Sequence, residues 1–158
     1  SMEWSTPSKL LVFRLGEQRY ALPLARVERI VRAVEITPLP GAPPLVLGVI
    51  DVAGALLPVF NLRRRFLLPA REVHPADQFL IASTALRRVA LVIDGAWGVV
   101  EFSEAEITVA GRILPGLELI QGAVQLEGGL VLIHDLEKFL PLAEAINLDT
   151  ALDGIGGR

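Results

Sequence analysis

The sequence predicts an all-β protein: two small antiparallel barrels, each a copy of one unit, with short helices at their ends. An internal repeat is the first observation behind this. Residues 48–66, GVIDVAGALLPVFNLRRRF, align without a gap on residues 122–140, GAVQLEGGLVLIHDLEKFL, at an offset of 74. Gly48 falls on Gly122, Gly54 on Gly128, Leu56 on Leu130, Asn61 on Asp135 and Leu62 on Leu136. Upstream, Tyr20-Ala21-Leu22 falls on Val89-Ala90-Leu91 at an offset of 69, and Glu35-Ile36-Thr37 on Glu106-Ile107-Thr108 at 71. Leu39-Pro40-Gly41 has its counterpart in Leu114-Pro115-Gly116. A unit this long used twice is a duplicated fold, not a solenoid, which stacks three or more shorter units. The second observation is the spacing of short apolar runs with turn residues between them, as in short antiparallel strands. The third is length: 158 residues bury about two-thirds of the unfolded surface, enough for one compact body or two small ones.

The elements follow in order. Residues 10–15 read as a strand, 16–19 as a turn and 20–22 as a return strand closed by Pro23. Residues 25–30 suit a short helical turn, followed by a strand near 30–34. After Pro43-Pro44, residues 45–52 and 55–60 form a hairpin about Ala53-Gly54, where glycine permits a positive φ. Asn61 caps a short helix over 62–67, its side chain accepting from free backbone amides. Residues 69–77, with Pro69, His74 and Pro75, link the copies. The second copy repeats the order, with strands at 79–83, 89–93 and 97–102, a loop at 111–116, a hairpin of 123–126 and 130–134, and a helix capped by Asp135. The expected units are a first barrel over 9–68, the linker 69–77, a second barrel over 78–141 with strands open to exchange, and a tail over 142–158. That tail has a helical pattern up to Leu152 and an expected disordered end from Gly154. Residues 1–2 read as a tag-cleavage remnant.

Composition narrows the function. Fifteen basic against eighteen acidic residues give a net charge of −3, so nothing draws the chain toward nucleic acid or anionic lipid. The basic run Arg63-Arg64-Arg65 reads as a solvated helix turn. Without cysteine there is no disulfide framework and no thiolate chemistry, consistent with a cytoplasmic setting. The N-terminus lacks a signal pattern. The longest apolar stretch, 45–60, is broken by Asp51, glycines and Pro58, so no membrane insertion is expected. At 52% hydrophobic and a mean hydropathy of +0.51, the chain has apolar surface to spare for partners.

Catalysis is poorly served. His74 lies in the linker and His134 at a strand end, where it reads as a half-buried packing residue. No metal-ligand spacing, nucleophile elbow or phosphate-binding glycine loop occurs, so neither enzymatic activity nor a cofactor is expected. Glu101, Glu104 and Glu106 read as a solvated edge and a helical start. Trp97 takes the place of Glu28 in the other copy and reads as core fill, with an interface anchor as the alternative.

The residues also resemble a known family. Residues 11–17, LVFRLGE, with Tyr20-Ala21-Leu22, look like the opening of CheW-like domains. Pro40, then GVIDVAGALLPVFNL over 48–62 and Phe66, resembles that family's G-x-x-x-x-R-G-x-x-x-P-x-x-D-L signature, and Ala90-Leu91-Val92-Ile93-Asp94 with Val99 resembles its second-half stretch. The resemblance runs from about Lys9 to Pro141. It implies two intertwined SH3-like barrels of five strands each and a non-catalytic adaptor. Such an adaptor couples chemoreceptor cytoplasmic tips to the regulatory domain of the histidine kinase CheA, with the receptor hairpin in the groove between barrels.

The chain departs from that pattern at charged positions. The family arginine before the hairpin glycine is Ala53, the glutamate of V-x-E-I is Arg29, and the aspartate of D-L is Asn61. The resemblance places partner binding at Val27, Arg29, Ile50, Val52, Ala53, Gly54, Pro58 and Asn61. Two further readings stand beside the adaptor: a ligand-sensing module holding a small molecule in the inter-barrel groove, and a CheW-like module of a longer protein.

Overall fold

The computed structural model describes residues 8–109, 120–138 and 142–156. Among these the first copy supplies β1 (Ser8–Leu15), β2 (Gln18–Pro23), β3 (Val27–Arg32), β4 (Val46–Val52), β5 (Ala55–Phe60) and the helix α1 (Leu62–Arg65). The second supplies β6 (Gln78–Ser83), β7 (Arg88–Ile93), β8 (Gly95–Phe102), β9 (Ile107–Val109), β10 (Ile120–Leu126), β11 (Gly129–His134) and the helix α2 (Leu142–Gly156). The strands form two sheets, one of six in the order β8-β1-β2-β11-β10-β9 and one of five in the order β3-β6-β7-β5-β4. Each sheet therefore takes a two-strand hairpin from the other copy, and the segment 69–77 separates sequence copies without separating sheets.

The exchange is reciprocal to the residue. Leu11 faces Val99 in the antiparallel β1–β8 pair, and Leu80 faces Ile30 in β6–β3. Ala21 faces Ile133 in the parallel β2–β11 pair, and Ala90 faces Val59 in β7–β5. These pairs interconvert through the offsets of 69 and 74. Strand alternation then sorts the side chains. Leu11, Phe13, Tyr20 and Leu22, with their counterparts Leu80, Ala82, Val89 and Leu91, enter one central core between the sheets. Leu10, Val12 and Ala21 point the other way into the six-stranded barrel, and Phe79, Ile81 and Ala90 into the five-stranded one.

A repeated glycine closes both barrels. A Cβ on Gly48 would lie 2.2 Å from the Thr37 carbonyl oxygen, and one on Gly122 would lie 2.7 Å from that of Thr108. Thr37 bridges Val49 with N–O distances of 2.9 and 2.8 Å. Its counterpart segment extends further along β10 and becomes β9, which gives that sheet its sixth strand.

Asp94, after β7, ties the exchanged hairpin of the first copy to the rest. Its carboxylate accepts from Arg63 of α1 at 2.6 and 2.7 Å, from the Gly16 amide at 2.8 Å and from Arg71 at 2.9 Å. Arg71 also holds Asp77 at 2.8 and 2.9 Å, so the linker is strapped down at both ends of this network. The offset of 74 carries Arg63 onto Glu137. Glu137 accepts from Arg26 at 2.7 Å and from the Ala85 amide at 3.0 Å, Ala85 being the counterpart of Gly16. A second latch of opposite polarity thus stands near the equivalent place, its Arg26 one residue beyond Ala25, the counterpart of Asp94.

Several expectations change. Arg63 is not a solvated residue but one half of a half-buried latch, because α1 turns it toward Asp94. His134 is fully buried, edge-on to Phe66 at 5.1 Å, where a half-buried position was expected. The helical turn near residue 25 is a 3₁₀ turn, Leu24–Arg26, and Val27 already begins β3. Gly154 lies inside α2, whose Leu148 is buried in the central core and whose Asp149 pairs with Arg87. The predicted loop at 111–116 and residues 1–2 lie outside the described residues.

Candidate interaction surface

The β4–β5 turn is the most constrained exposed point of the sequence-predicted surface. Val52 pairs with Ala55, so Ala53-Gly54 is a two-residue turn, with φ of 53° and 88°. This double positive φ is the type I′ geometry favoured by the right-handed strand twist. The Gly54 amide donates to Asp51 Oδ1 at 2.7 Å. Ala53 and Gly54 are exposed, and alanine pays a left-handed cost of about 1 kcal/mol there that asparagine tolerates better. Ala53→Asn is therefore expected to raise stability by several tenths to about 1 kcal/mol in urea denaturation. A lower midpoint would show that the turn is not strained by its alanine.

The remaining predicted residues divide by burial. Ile50, Val52 and Pro58 face inward, Ile50 and Val52 in the core of the five-stranded barrel, and position the hairpin without themselves reaching solvent. Asn61 is committed to its cap, accepting from the Arg64 amide at 3.2 Å. Val27 is half-buried against the central core. Arg29 is exposed on β3, an edge strand. The ladder runs from Arg29 through Ile81 and Ala90 to Val59, three strand steps or roughly 14 Å along the sheet. The turn lies further along β5 from Val59, so Arg29 and Ala53 bracket the surface and do not adjoin along the sheet.

Trp97 corrects the core-fill expectation: it is 55% exposed, and the Arg19 guanidinium sits 5.1 Å from its ring centroid. Arg19 is fixed there by the carbonyls of Glu127 and Gly129, each at 3.1 Å. The offset of 69 converts this pair into Arg88 and Glu28, which form a bidentate ion pair at 2.6 and 2.7 Å. That pairing holds the Glu28 carboxyl below its ordinary pKa, mainly through the Arg88 hydrogen bonds. Aligning the copies points to these partners, since Arg19 and Arg88 coincide at the same offset as Tyr20 and Val89.

The His134 imidazole is pushed down to about 3 by burial and then by the Arg65 charge, so it stays neutral at ordinary pH. Among the described residues no cluster of three His, Asp or Glu side chains is placed to hold a metal ion. A cavity of about 650 Å³ lies between α2 and Pro40–Gly41, and Ala53 and Arg29 are not among its lining residues. Among the described residues no helix is long and apolar enough to cross a membrane.

Comparison with known proteins supplies what the geometry alone does not. The sequence profile of the CheW-like domain matches residues 9–144. The chain is 28% identical over 138 residues to the chemotaxis protein CheW of Rhizobium meliloti (strain 1021), covering 86% of this chain and 89% of that one. It is 32% identical over 108 residues to the chemotaxis protein CheW of Bacillus subtilis (strain 168), covering 68% and 69%. The fold is similar to the crystal structure of the scaffolding protein TtCheW from Thermoanaerobacter tengcongensis, with a TM-score of 0.80 and 24% identity over 88% of this chain and 96% of the other.

Proposed function

The chain belongs to the CheW-like domain family, and from that premise we propose that it is a coupling adaptor of a chemosensory complex acting in the cytoplasm. It binds the regulatory domain of a CheA-type histidine kinase through the five-stranded barrel, and Arg29 with the Ala53-Gly54 turn belongs to the receptor-facing surface. A chemoreceptor cytoplasmic tip fits the groove between the barrels, as an apolar helix laid between two sheets. The observation that carries this reading is the profile match over residues 9–144, and the reciprocal exchange of hairpins, which ties the two barrels together through shared strands, supports it.

Arg29 and Ala53 modify that reading. A contact that uses an arginine at the turn and a glutamate on β3 finds neither here. Charges of this kind fix orientation and on-rate more than affinity, so their loss weakens the receptor contact and leaves the kinase contact to the apolar surface.

Calorimetric titration tests both parts. Kinase regulatory domain is expected to bind, and a receptor-tip hairpin to bind weakly. The double variant Ala53→Arg with Arg29→Glu is expected to tighten receptor binding by roughly tenfold while leaving the fold unchanged. Silence with both partners would reject the adaptor reading. An unchanged receptor affinity in the double variant would reject the role given to the two positions.

A further inference from the structure

The helix α2 stands outside the repeat. The offset of 74 carries its residues 142–156 onto 68–82, which are linker and β6, so the first copy has no such helix. The CheW-like profile ends at residue 144, near the start of α2. The apolar residues of this added helix are spaced for one face. Leu148 is buried in the central core between the sheets, and Ala151, Leu152 and Ile155 pack partly buried against the same core. Positions 148, 151, 152 and 155 form the i, i+3, i+4, i+7 stripe of a helix laid in a groove. Asn147, Asp149, Thr150 and Asp153, between them, are exposed. Val27 and Ile30 of β3 pack against that core as well. The chain thus lays a helix of its own on the apolar surface between the barrels.

We propose that α2 is a displaceable strap: it covers in cis the apolar surface that a receptor helix takes in trans, and the receptor binds only molecules whose α2 has swung out. The inference rests on the adaptor reading and adds a closed state to it. Two features make the strap loose. Its seat is incomplete, since a cavity of about 650 Å³ remains between α2 and Pro40–Gly41, where a finished core leaves few voids larger than a water molecule. The helix is also weak by itself. Gly154 lies inside it, Asp149 and Asp153 stand toward the negative end of its dipole, and its last turn has no basic residue. The ion pair from Asp149 to Arg87 adds little, because Asp149 is 53% exposed. One stripe of apolar contacts therefore holds α2, and a docked helix of this kind opens more readily than the strands beneath it. Closure lowers the apparent receptor affinity by the fraction of molecules that stay closed.

A disulfide lock tests the strap, since the chain has no cysteine of its own to interfere. A Cβ on Gly41 would lie 4.0 Å from the Ala151 Cβ, within the roughly 3.5–4.5 Å that a disulfide spans. Gly41→Cys with Ala151→Cys, oxidised, fixes α2 on its seat, and reduction frees it. Both redox forms carry the same substitutions, so the strain of a cysteine at the φ of 81° of Gly41 is common to them. A chain ending at residue 141 removes the strap altogether. Each form is titrated with a receptor-tip hairpin, and with the kinase regulatory domain to verify folding. The oxidised lock is expected to lose hairpin binding and to regain it on reduction, and the shortened chain to bind tenfold or more tightly than wild type. A synthetic peptide of residues 142–158 is expected to bind the shortened chain and to compete with the hairpin. Equal hairpin affinity in the oxidised and reduced forms would overturn the strap and leave the adaptor reading intact. A cysteine pair that does not oxidise would overturn it too, because α2 would then not be seated against Gly41. Hairpin silence in every form that still binds kinase would reject the receptor half of the adaptor reading, and the strap with it.

Discussion

Gly48→Ala is expected to cost about 3 kcal/mol or more, since among the described glycines its added methyl group meets the closest backbone contact. The added carbon would sit 2.2 Å from the Thr37 carbonyl oxygen and 2.8 Å from Ile36 Cγ2. The oxygen is backbone, and the residue that carries it is paired with Val49 on the same strand as Gly48, so neither side yields cheaply. The φ of 153° at Gly48 adds strain for any residue with a side chain. At 2–4 °C per kcal/mol for a chain of this size, the melting temperature is expected to fall by about 6–12 °C. Gly122→Ala, with its nearest backbone contact at 2.7 Å, is expected to fall by less. Gly54→Ala provides the contrast, since nothing lies within 4 Å of its Cβ and only the turn conformation at φ 88° resists it. Thermal melts of the three variants rank these effects, and a Gly48→Ala melt within 2 °C of wild type would contradict the closure argument.

That glycine also shows why so much of the fold was legible. Gly48 and Gly122 stand in register because the same backbone approach recurs in both barrels, so the repeat in the sequence is a repeat of packing. Strand alternation is equally local, and the odd and even positions of residues 10–13 separate into two cores as the alternation requires. The exchange of hairpins is less accessible. The same strands satisfy the same apolar pattern whether they pair within their copy or across copies, and only the cross-copy contacts β1–β8, β3–β6, β2–β11 and β5–β7 decide it.

The surface was harder to read for a related reason. Whether an arginine is solvated or latched depends on what tertiary packing brings opposite it, and Arg63 finds Asp94 from 31 residues away. Trp97 reads as core on hydrophobicity alone, but the strand that carries it is an edge, a property of sheet order and not of composition. Ile50 and Val52 went the other way. They flank the predicted turn in sequence, and the pleat turns their side chains inward. The family resemblance names a region, and the pleat decides which of its residues a partner can touch.

Asp94→Asn is the second large effect, expected to cost about 2–3 kcal/mol at pH 7. The carboxylate side chain is only 10% exposed and faces Arg63, itself 15% exposed, so removing its charge leaves a half-buried guanidinium uncompensated. Burial by itself would raise the Asp94 carboxyl. The hydrogen bonds from Arg63 and the Gly16 amide, with the charges of Arg63 and Arg71, outweigh it and hold the group below its ordinary 3.8. A carboxyl depressed in the folded state contributes stability that is fully present above the unfolded value and lost as pH falls through the folded one. The urea midpoints of wild type and Asp94→Asn are therefore expected to differ by a constant amount from pH 7 to about 5, and to converge as pH falls below about 4. Asp77 is depressed as well, burial again opposing and the Arg71 hydrogen bonds prevailing, so the variant keeps a residual acid slope of its own. The reversed latch at Glu137 supplies the comparison. Glu137→Gln breaks a pair whose members are 32% and 38% exposed, and solvent screening limits its loss to about 1 kcal/mol or less. Equal losses from the two variants would mean that burial does not distinguish the latches, and a gap undiminished at pH 3 would mean that the Asp94 charge is not what holds the hairpin.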